Sequence, residues 1–200
     1  MGICYIVGAG DFYGEISPRE EDLVIAADGG YDTLTRLGVR CDALIGDMDS
    51  STKEHPDAIR FPVEKDETDT YLAYLEGVKR GYTSFAVYGG VGGREDHTFA
   101  NISLLLHAKL QGHSMVLVGN GCEYTVIKNE SITLFGKVGA SFSVFAFGGA
   151  AHGVSIAGAK YAASEITLTP DFPLGVSNSL TECKATVSVH DGALLIFREV

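Results

Sequence analysis

Short apolar runs, each closed by glycine or by an acidic residue, recur between Ile3 and Val118 and leave this chain few ways to fold. Ile3 to Val7, Leu23 to Ala27, Ala43 to Ile45, Ile59 to Pro62, Phe85 to Tyr88 and Met115 to Val118 are β-prone and no longer than a strand requires. Helical patterns lie between some of them. Thr68 to Lys79 spaces Leu72, Leu75 and Val78 by threes, with Thr68 and Asp69 positioned to cap its start and Gly81 to stop it. Asp96 to Leu110 aligns Phe99, Ile102, Leu106 and Leu110 on one face and gives way to Gly112. Strands alternating with helices predict an α/β unit on a mainly parallel sheet covered on both sides.

Beyond about Gly121 the pattern changes. Ser141 to Phe147 alternates small and large residues, Glu165 to Thr169 and Thr186 to Val189 are again rich in Val, Ile and Thr, and no amphipathic helix pattern remains. Val187 to His190, then Asp191-Gly192, then Ala193 to Phe197, predicts a β-hairpin closed by a type I′ turn. Several short strands with turns between them predict a β-sandwich. The expected organisation is therefore an α/β catalytic domain over residues 1–121 and an all-β sandwich domain over residues 122–200, without internal repeats.

Composition narrows the function. With 200 residues, 46% of them hydrophobic, the chain has material for a substantial core. A formal net charge of -11 argues against a nucleic-acid partner, because phosphate backbones are bound through Lys and Arg. Cys4, Cys41, Cys122 and Cys183 form no C-x-x-C pair, so neither a zinc site nor a redox motif is expected, and free thiols in the cytoplasm are the plain reading. The first residues lack a basic n-region, Ile6 stands where a myristoylation signal needs Ser or Thr, and no stretch is apolar enough to span a bilayer; neither export nor membrane insertion is expected.

The chemistry is concentrated where the apolar runs end. Asp28-Gly29-Gly30, Gly46-Asp47-Met48-Asp49-Ser50, Asp66-Glu67-Thr68-Asp69 and Gly93-Arg94-Glu95-Asp96-His97 should converge on the rim at the carboxyl ends of the strands, where open α/β sheets bind ligands. Carboxylates gathered there repel one another unless a cation sits among them, which points to Mg²⁺ and a phosphorylated substrate. Asp47 and Asp49, two residues apart on an extended segment, face the same way and suit one metal ion. Asp69 is a second metal or catalytic candidate, with Thr68 and Lys65 near phosphate. Gly89 to Gly93 leads into a helix, so its N–H groups can cradle an anion that Arg94 pairs with. It is not a Walker loop, since no G-x-x-x-x-G-K-[ST] occurs. His97 and Asn101 lie one helical turn apart and can face the same cleft, although a single helical His is more often a hydrogen-bonded structural residue than a base. Gly8-Ala9-Gly10 suits either close approach to a nucleotide or a tight turn.

Ala27-Asp28-Gly29-Gly30, Gly46-Asp47-Met48-Asp49-Ser50, Lys65-Asp66-Glu67-Thr68-Asp69 with Leu72-Ala73, and Gly92-Gly93-Arg94-Glu95-Asp96-His97 with Ala100-Asn101-Ile102 resemble, in order, the motifs of the thiamine pyrophosphokinase family. Gly158-Ala159-Lys160-Tyr161 and Gly175-Val176-Ser177-Asn178 resemble that family's thiamine-binding segments more weakly. The resemblance implies a homodimer, with thiamine bound between one subunit's catalytic domain and the partner's sandwich. It implies that Asp47, Asp49 and Asp69 hold Mg²⁺ and the ATP phosphates, that Arg94 and Asp96 position the phosphates and the thiamine, and that Tyr161 stacks on thiamine beside Ser177 and Asn178. Asp28, Gly29, Lys65, Thr68, His97 and Asn101 complete the expected binding set, and either Asp69 or Asp96 is the expected proton acceptor. Two departures stand out: Tyr161 occupies a position where some relatives carry Trp, and Ser179 one where many carry Glu. An aspartate-nucleophile phosphatase would also use the Asp47-x-Asp49 pair but leaves Gly92-Gly93-Arg94 and the β-rich half unexplained. A noncatalytic sensor would not need every carboxylate intact.

Overall fold

The structure, a computed structural model, describes residues 2–46, 58–60 and 67–200. It divides into two compact units, Met1–Leu104 with Gln111–Asn120, and Leu105–Leu110 with Gly121–Val200.

The first unit carries strands β1 (Cys4–Val7), β2 (Leu23–Ala27), β3 (Ala43–Gly46), β4 (Ala58–Arg60), β5 (Ser84–Tyr88) and β6 (Ser114–Gly119). All pair in parallel, in the order β4-β3-β2-β1-β5-β6, with Cys4 opposite Leu23 on one side and Phe85 on the other. Every residue of β2 is buried, as expected of a strand covered on both faces. Helices α1 (Gly30–Leu37), α2 (Asp69–Lys79) and α3 (Glu95–Leu110) accompany the strands. Val7, Val24, Ala26, Leu34, Leu44, Tyr88 and Val118 form an apolar cluster against α1. Among the described residues no helix is long and apolar enough to cross a membrane.

A buried carboxylate fixes the entry to this sheet. Asp22 accepts the Ile3 N–H at 2.7 Å and the Arg19 N–H at 2.8 Å, and those bonds hold its carboxyl below the usual carboxylate range. A pKa depressed in the folded state means that the stabilisation is complete above the unfolded value, about 3.9, and drains away as the pH falls through the folded one. Asp22→Ala is therefore expected to cost about 2 kcal/mol at pH 7 by orphaning two amides. The difference from wild type should shrink below about pH 4, which urea unfolding at neutral and acidic pH would read.

Both predicted helices form; α2 buries Leu72 as expected but turns Leu75 outward, and α3 buries a face other than the expected one. In α2 the buried residues are Thr70, Leu72, Ala73, Tyr74 and Gly77, while Leu75 is 40% exposed. Small residues explain this: a Cβ on Gly77 would lie 2.8 Å from the Cys4 sulfur and 2.7 Å from the Phe85 ring, so only a glycine lets the helix sit this close to β1 and β5. In α3 the buried positions are Asn101, Leu104, Leu105 and Ala108, whereas Phe99 is 68% and Leu110 56% exposed. That helix is apolar on two faces, and the buried one carries the amide of Asn101.

The second unit contains β7 (Cys122–Lys128), β8 (Ser131–Phe135), β9 (Ser141–Ala146), β10 (Ala151–Ala157), β11 (Ala163–Leu168), β12 (Asn178–Ser179), β13 (Lys184–Ser188) and β14 (Ala193–Glu199). Antiparallel pairing joins β12-β9-β14-β7 on one side and β11-β10-β13-β8 on the other. Alternate residues of both groups, among them Phe142, Val144, Leu194 and Ile196 and, opposite, Val154, Ile156, Ala185 and Val187, enter one apolar core.

The predicted hairpin around Asp191-Gly192 does not form. β13 pairs with β8 and β10, and β14 with β7 and β9, so the connection passes from one group of strands to the other. Asp191 bridges to His152, and the Gly192 N–H donates to Asn129 Oδ1 at 2.9 Å. Turn chemistry supplied a bend; the need of both strands to bury one face in a common core decided where it led.

Candidate functional site

The parallel strands reverse their order of addition at β1, with β2, β3 and β4 stepping outward on one side and β5 and β6 on the other. At such a switch point the loops leaving adjacent strands diverge and open a crevice at the carboxyl ends. Here the loops after β1 and β5 line it together. The Gly8 N–H donates to Tyr88 O at 2.8 Å and the Gly10 N–H to Gly89 O at 2.9 Å. A Cβ at Gly8 or Gly10 would stand 2.7 Å from Gly89 O, and Gly89 itself has φ +61°, so glycine is what allows the two loops to close on each other.

A cleft of about 360 Å³ opens there. Its walls are Gly8, Ala9 and Gly10 after β1, Ala27 and Asp28 after β2, Thr68, Asp69 and Thr70 at the start of α2, Gly89 to Gly93 without Val91, Arg94, and His97 and Asn101 on α3. Asp28 takes a left-handed φ of +49°, with its N–H on Ile45 O at 2.8 Å and its carbonyl accepting the Tyr31 N–H at 3.3 Å. The Thr68 hydroxyl caps α2 by accepting the Tyr71 N–H at 3.2 Å. Asp69, next in line, is the first residue of that helix, where the helix dipole favours negative charge. Asn101 is buried and donates from Nδ2 to Gly90 O at 2.8 Å, so its amide holds the glycine loop.

Arg94 ends the glycine loop and its carbonyl accepts the Thr98 N–H at 3.1 Å. Its guanidinium meets Asp96 through two bonds, Nε to Oδ1 at 3.1 Å and Nη2 to Oδ2 at 2.6 Å. The pairing holds the Asp96 carboxyl down at about 2 and raises the Arg94 pKa further.

Of the expected set, Asp28, Thr68, Asp69, Arg94, His97 and Asn101 come together in this cleft. Asp47, Asp49 and Lys65 lie outside the described residues. Gly29 instead caps α1 and lies beside Ala9, and Asp96 pairs with Arg94 without being part of the lining. Thr70 was missed; its one signal is its place directly after the Thr68-Asp69 cap. Among the described residues no group of three His, Cys, Asp or Glu side chains is arranged to hold a metal ion. Asp28 and Asp69 bring hard oxygen donors to the cleft, the ligand type that Mg²⁺ takes.

A second cavity, of about 440 Å³, lies in the second unit and is mostly apolar. Ile156, Ile166 and Leu168 belong to its lining, together with Tyr161 to Ser164 and Leu174, Gly175, Val176 and Asn178. Tyr161 is 59% exposed, and Lys160 Nζ lies 5.3 Å from its ring centre. Asn178 is buried and clamps the Tyr161 backbone, accepting its N–H on Oδ1 at 3.0 Å and donating Nδ2–H to its carbonyl at 2.8 Å. Ser177, at φ +59°, gives its N–H to Ser143 Oγ and is not part of the lining. Leu174 and Val176 were invisible as site residues, since isolated aliphatics carry no chemical signature.

Comparison with known proteins finds two family models in succession. Residues 18–117 match the catalytic domain of thiamin pyrophosphokinase, and residues 123–194 match the vitamin B1 binding domain of thiamin pyrophosphokinase. The thiamine pyrophosphokinase of Bacillus subtilis is 27% identical over 195 residues, covering 90% of this chain and 88% of its own. A crystal structure of thiamine pyrophosphokinase from that organism superposes with a TM-score of 0.90 at 24% identity, over 99% of both chains. Thiamin pyrophosphokinase from Geobacillus thermodenitrificans gives 0.83 at 24% identity, over 99% of this chain and 97% of its own. That from Candida albicans gives 0.74 at 14% identity, over 100% of this chain and 89% of its own. At these identities the structural likeness is one of fold.

Proposed function

Since this chain belongs to the thiamin pyrophosphokinase family, we propose that it moves the β,γ-pyrophosphoryl group of ATP onto the hydroxyl of thiamine, giving thiamine diphosphate and AMP. The observation that carries the reading is the switch-point cleft, where a glycine loop, a helix start, an arginine and two carboxylates converge. Such transfer depends on alignment and on charge stabilisation rather than on a covalent enzyme intermediate. The thiamine hydroxyl oxygen bonds to the β-phosphorus while the bond from that phosphorus to the α,β-bridging oxygen breaks. The bridging oxygen leaves with AMP, and the hydroxyl proton passes to a carboxylate.

N–H groups of the glycine loop and the Arg94 guanidinium would bear the phosphates, with Asn101 holding the loop through Gly90. Asp47, Asp49 and Asp69 would hold Mg²⁺, which when bound offsets phosphate charge. Thiamine would lie against Tyr161, where aromatic stacking and the surrounding aliphatic wall suit its rings. We further propose a homodimer in which one subunit's cleft and the partner's second unit share the vitamin, working in the cytoplasm where ATP is held.

One reaction tests this. With ATP, Mg²⁺ and thiamine, AMP and thiamine diphosphate are expected in equal amounts by chromatography, with almost no AMP when thiamine is omitted. ADP with thiamine monophosphate would mean attack at the γ-phosphorus, phosphate released from unrelated phosphomonoesters would favour the phosphatase reading, and ADP as sole nucleotide product would overturn the proposal.

A further inference from the structure

We infer that Asp96 is a positioning residue for Arg94 and does not itself take the proton of the attacking hydroxyl. The inference rests on the diphosphotransferase reading above and sets Asp96 aside as a proton acceptor.

The geometry begins with the backbone. Gly92 and Gly93 take φ values of +80° and +70°, and Arg94 then hands its carbonyl to both the N–H and the hydroxyl of Thr98, at 3.1 and 3.2 Å. The Arg94 Cα is thereby tied to the start of α3, but its side chain is 70% exposed and would otherwise sample many rotamers. Asp96, two residues on, restricts that freedom. Its two oxygens grip Nε–H and one Nη2–H in a fork, the arrangement in which planar guanidinium and carboxylate match best. The remaining guanidinium N–H groups point away from the carboxylate and stay available to an anion, and Arg94 lines the cleft whereas Asp96 does not.

The same contacts make Asp96 a poor proton acceptor. Oδ1 also accepts the His97 N–H at 3.0 Å, so both oxygens are already engaged by cationic or amide donors. A general base works best with a pKa near the working pH and within hydrogen-bond reach of the hydroxyl. The Arg94 pairing holds the Asp96 carboxyl at about 2, and protonating it would release the guanidinium at the moment phosphate charge is greatest.

The test is a double-substitution cycle in the full-length enzyme, using Arg94→Met, Asp96→Asn and both together, with kcat/KM for AMP formation followed across pH and ATP affinity measured by calorimetry. Asp96→Asn is expected to lower kcat/KM by roughly 10-fold to 100-fold without shifting the acidic limb of the profile, and to weaken ATP binding. In the Arg94→Met background the same change should cost less than about twofold in either quantity, because the guanidinium through which it acts is gone. Loss of the acidic limb in Asp96→Asn, or a full additional loss on top of Arg94→Met, would overturn the inference. If Asp96→Asn fails to fold by circular dichroism, Asp96→Glu in both backgrounds answers the same question. A wild-type enzyme that makes no thiamine diphosphate would count against the reaction assigned above, and the ATP-binding cycle would still report whether Asp96 acts only through Arg94.

Discussion

Replacing Asp47 or Asp49 with alanine is expected to slow formation of thiamine diphosphate by about 100-fold or more while leaving the fold intact. The two residues follow the last residue of β3, Gly46, which stands against the cleft-lining Asp28: a Cβ on it would lie 3.2 Å from the Asp28 Cα. Three phosphates entering a cleft that already carries Asp28 and Asp69 meet net repulsion unless a cation intervenes. Losing one carboxylate of a pair weakens the hold on that cation, and the cost appears where phosphate charge shifts most, in the transition state. Initial rates on purified variants with matched circular dichroism would check this. Near-normal turnover in either variant would remove Asp47 and Asp49 from the metal site.

The second large effect is on stability. Gly30→Ala is expected to destabilise the first unit by about 3 kcal/mol or more, although alanine is the better helix former by about 1 kcal/mol. Gly30 opens α1 at the end of β1, and a Cβ there would stand 1.8 Å from the Val7 carbonyl oxygen and 2.5 Å from its carbon. Both clashing atoms are backbone, so no rotamer change can relieve them; either the helix withdraws or the strand bends. The clash therefore outweighs the helix propensity. Because Asp28 and Gly8 flank this contact, the cleft should loosen as well, and ATP affinity should fall together with the urea midpoint. An unchanged midpoint would mean that α1 does not seat this closely on β1.

The strands of the α/β half were legible because buried parallel strands read as short continuous apolar runs, and the positions of Thr68, Arg94 and Gly89 to Gly93 were legible because helix caps and tight loops need particular residue types. Helix α1 was not: Gly29-Gly30 reads as a turn, and only the approach to Val7 explains a glycine in the first turn of a helix. The buried face of α2 in part, and that of α3, were misjudged for a related reason, since Ala73 and Gly77 pack by absence of bulk, and α3 carries two apolar faces of which contacts select one.

By itself the sequence determined which of its motifs stand at the ends of the parallel strands and where the fold changes from alternating helices and strands to strands alone, because both rest on local chemistry and periodicity. Tertiary structure alone decided the rest. The Asp191-Gly192 bend joins two groups of strands instead of closing a hairpin, Asn101 and Asn178 spend their amides on the backbones of Gly90 and Tyr161, and Asp96 grips the Arg94 guanidinium. In each case the sequence names a polar or turn-forming residue with several possible partners, and the partner is chosen by which surfaces must be buried and which buried backbone groups must be satisfied.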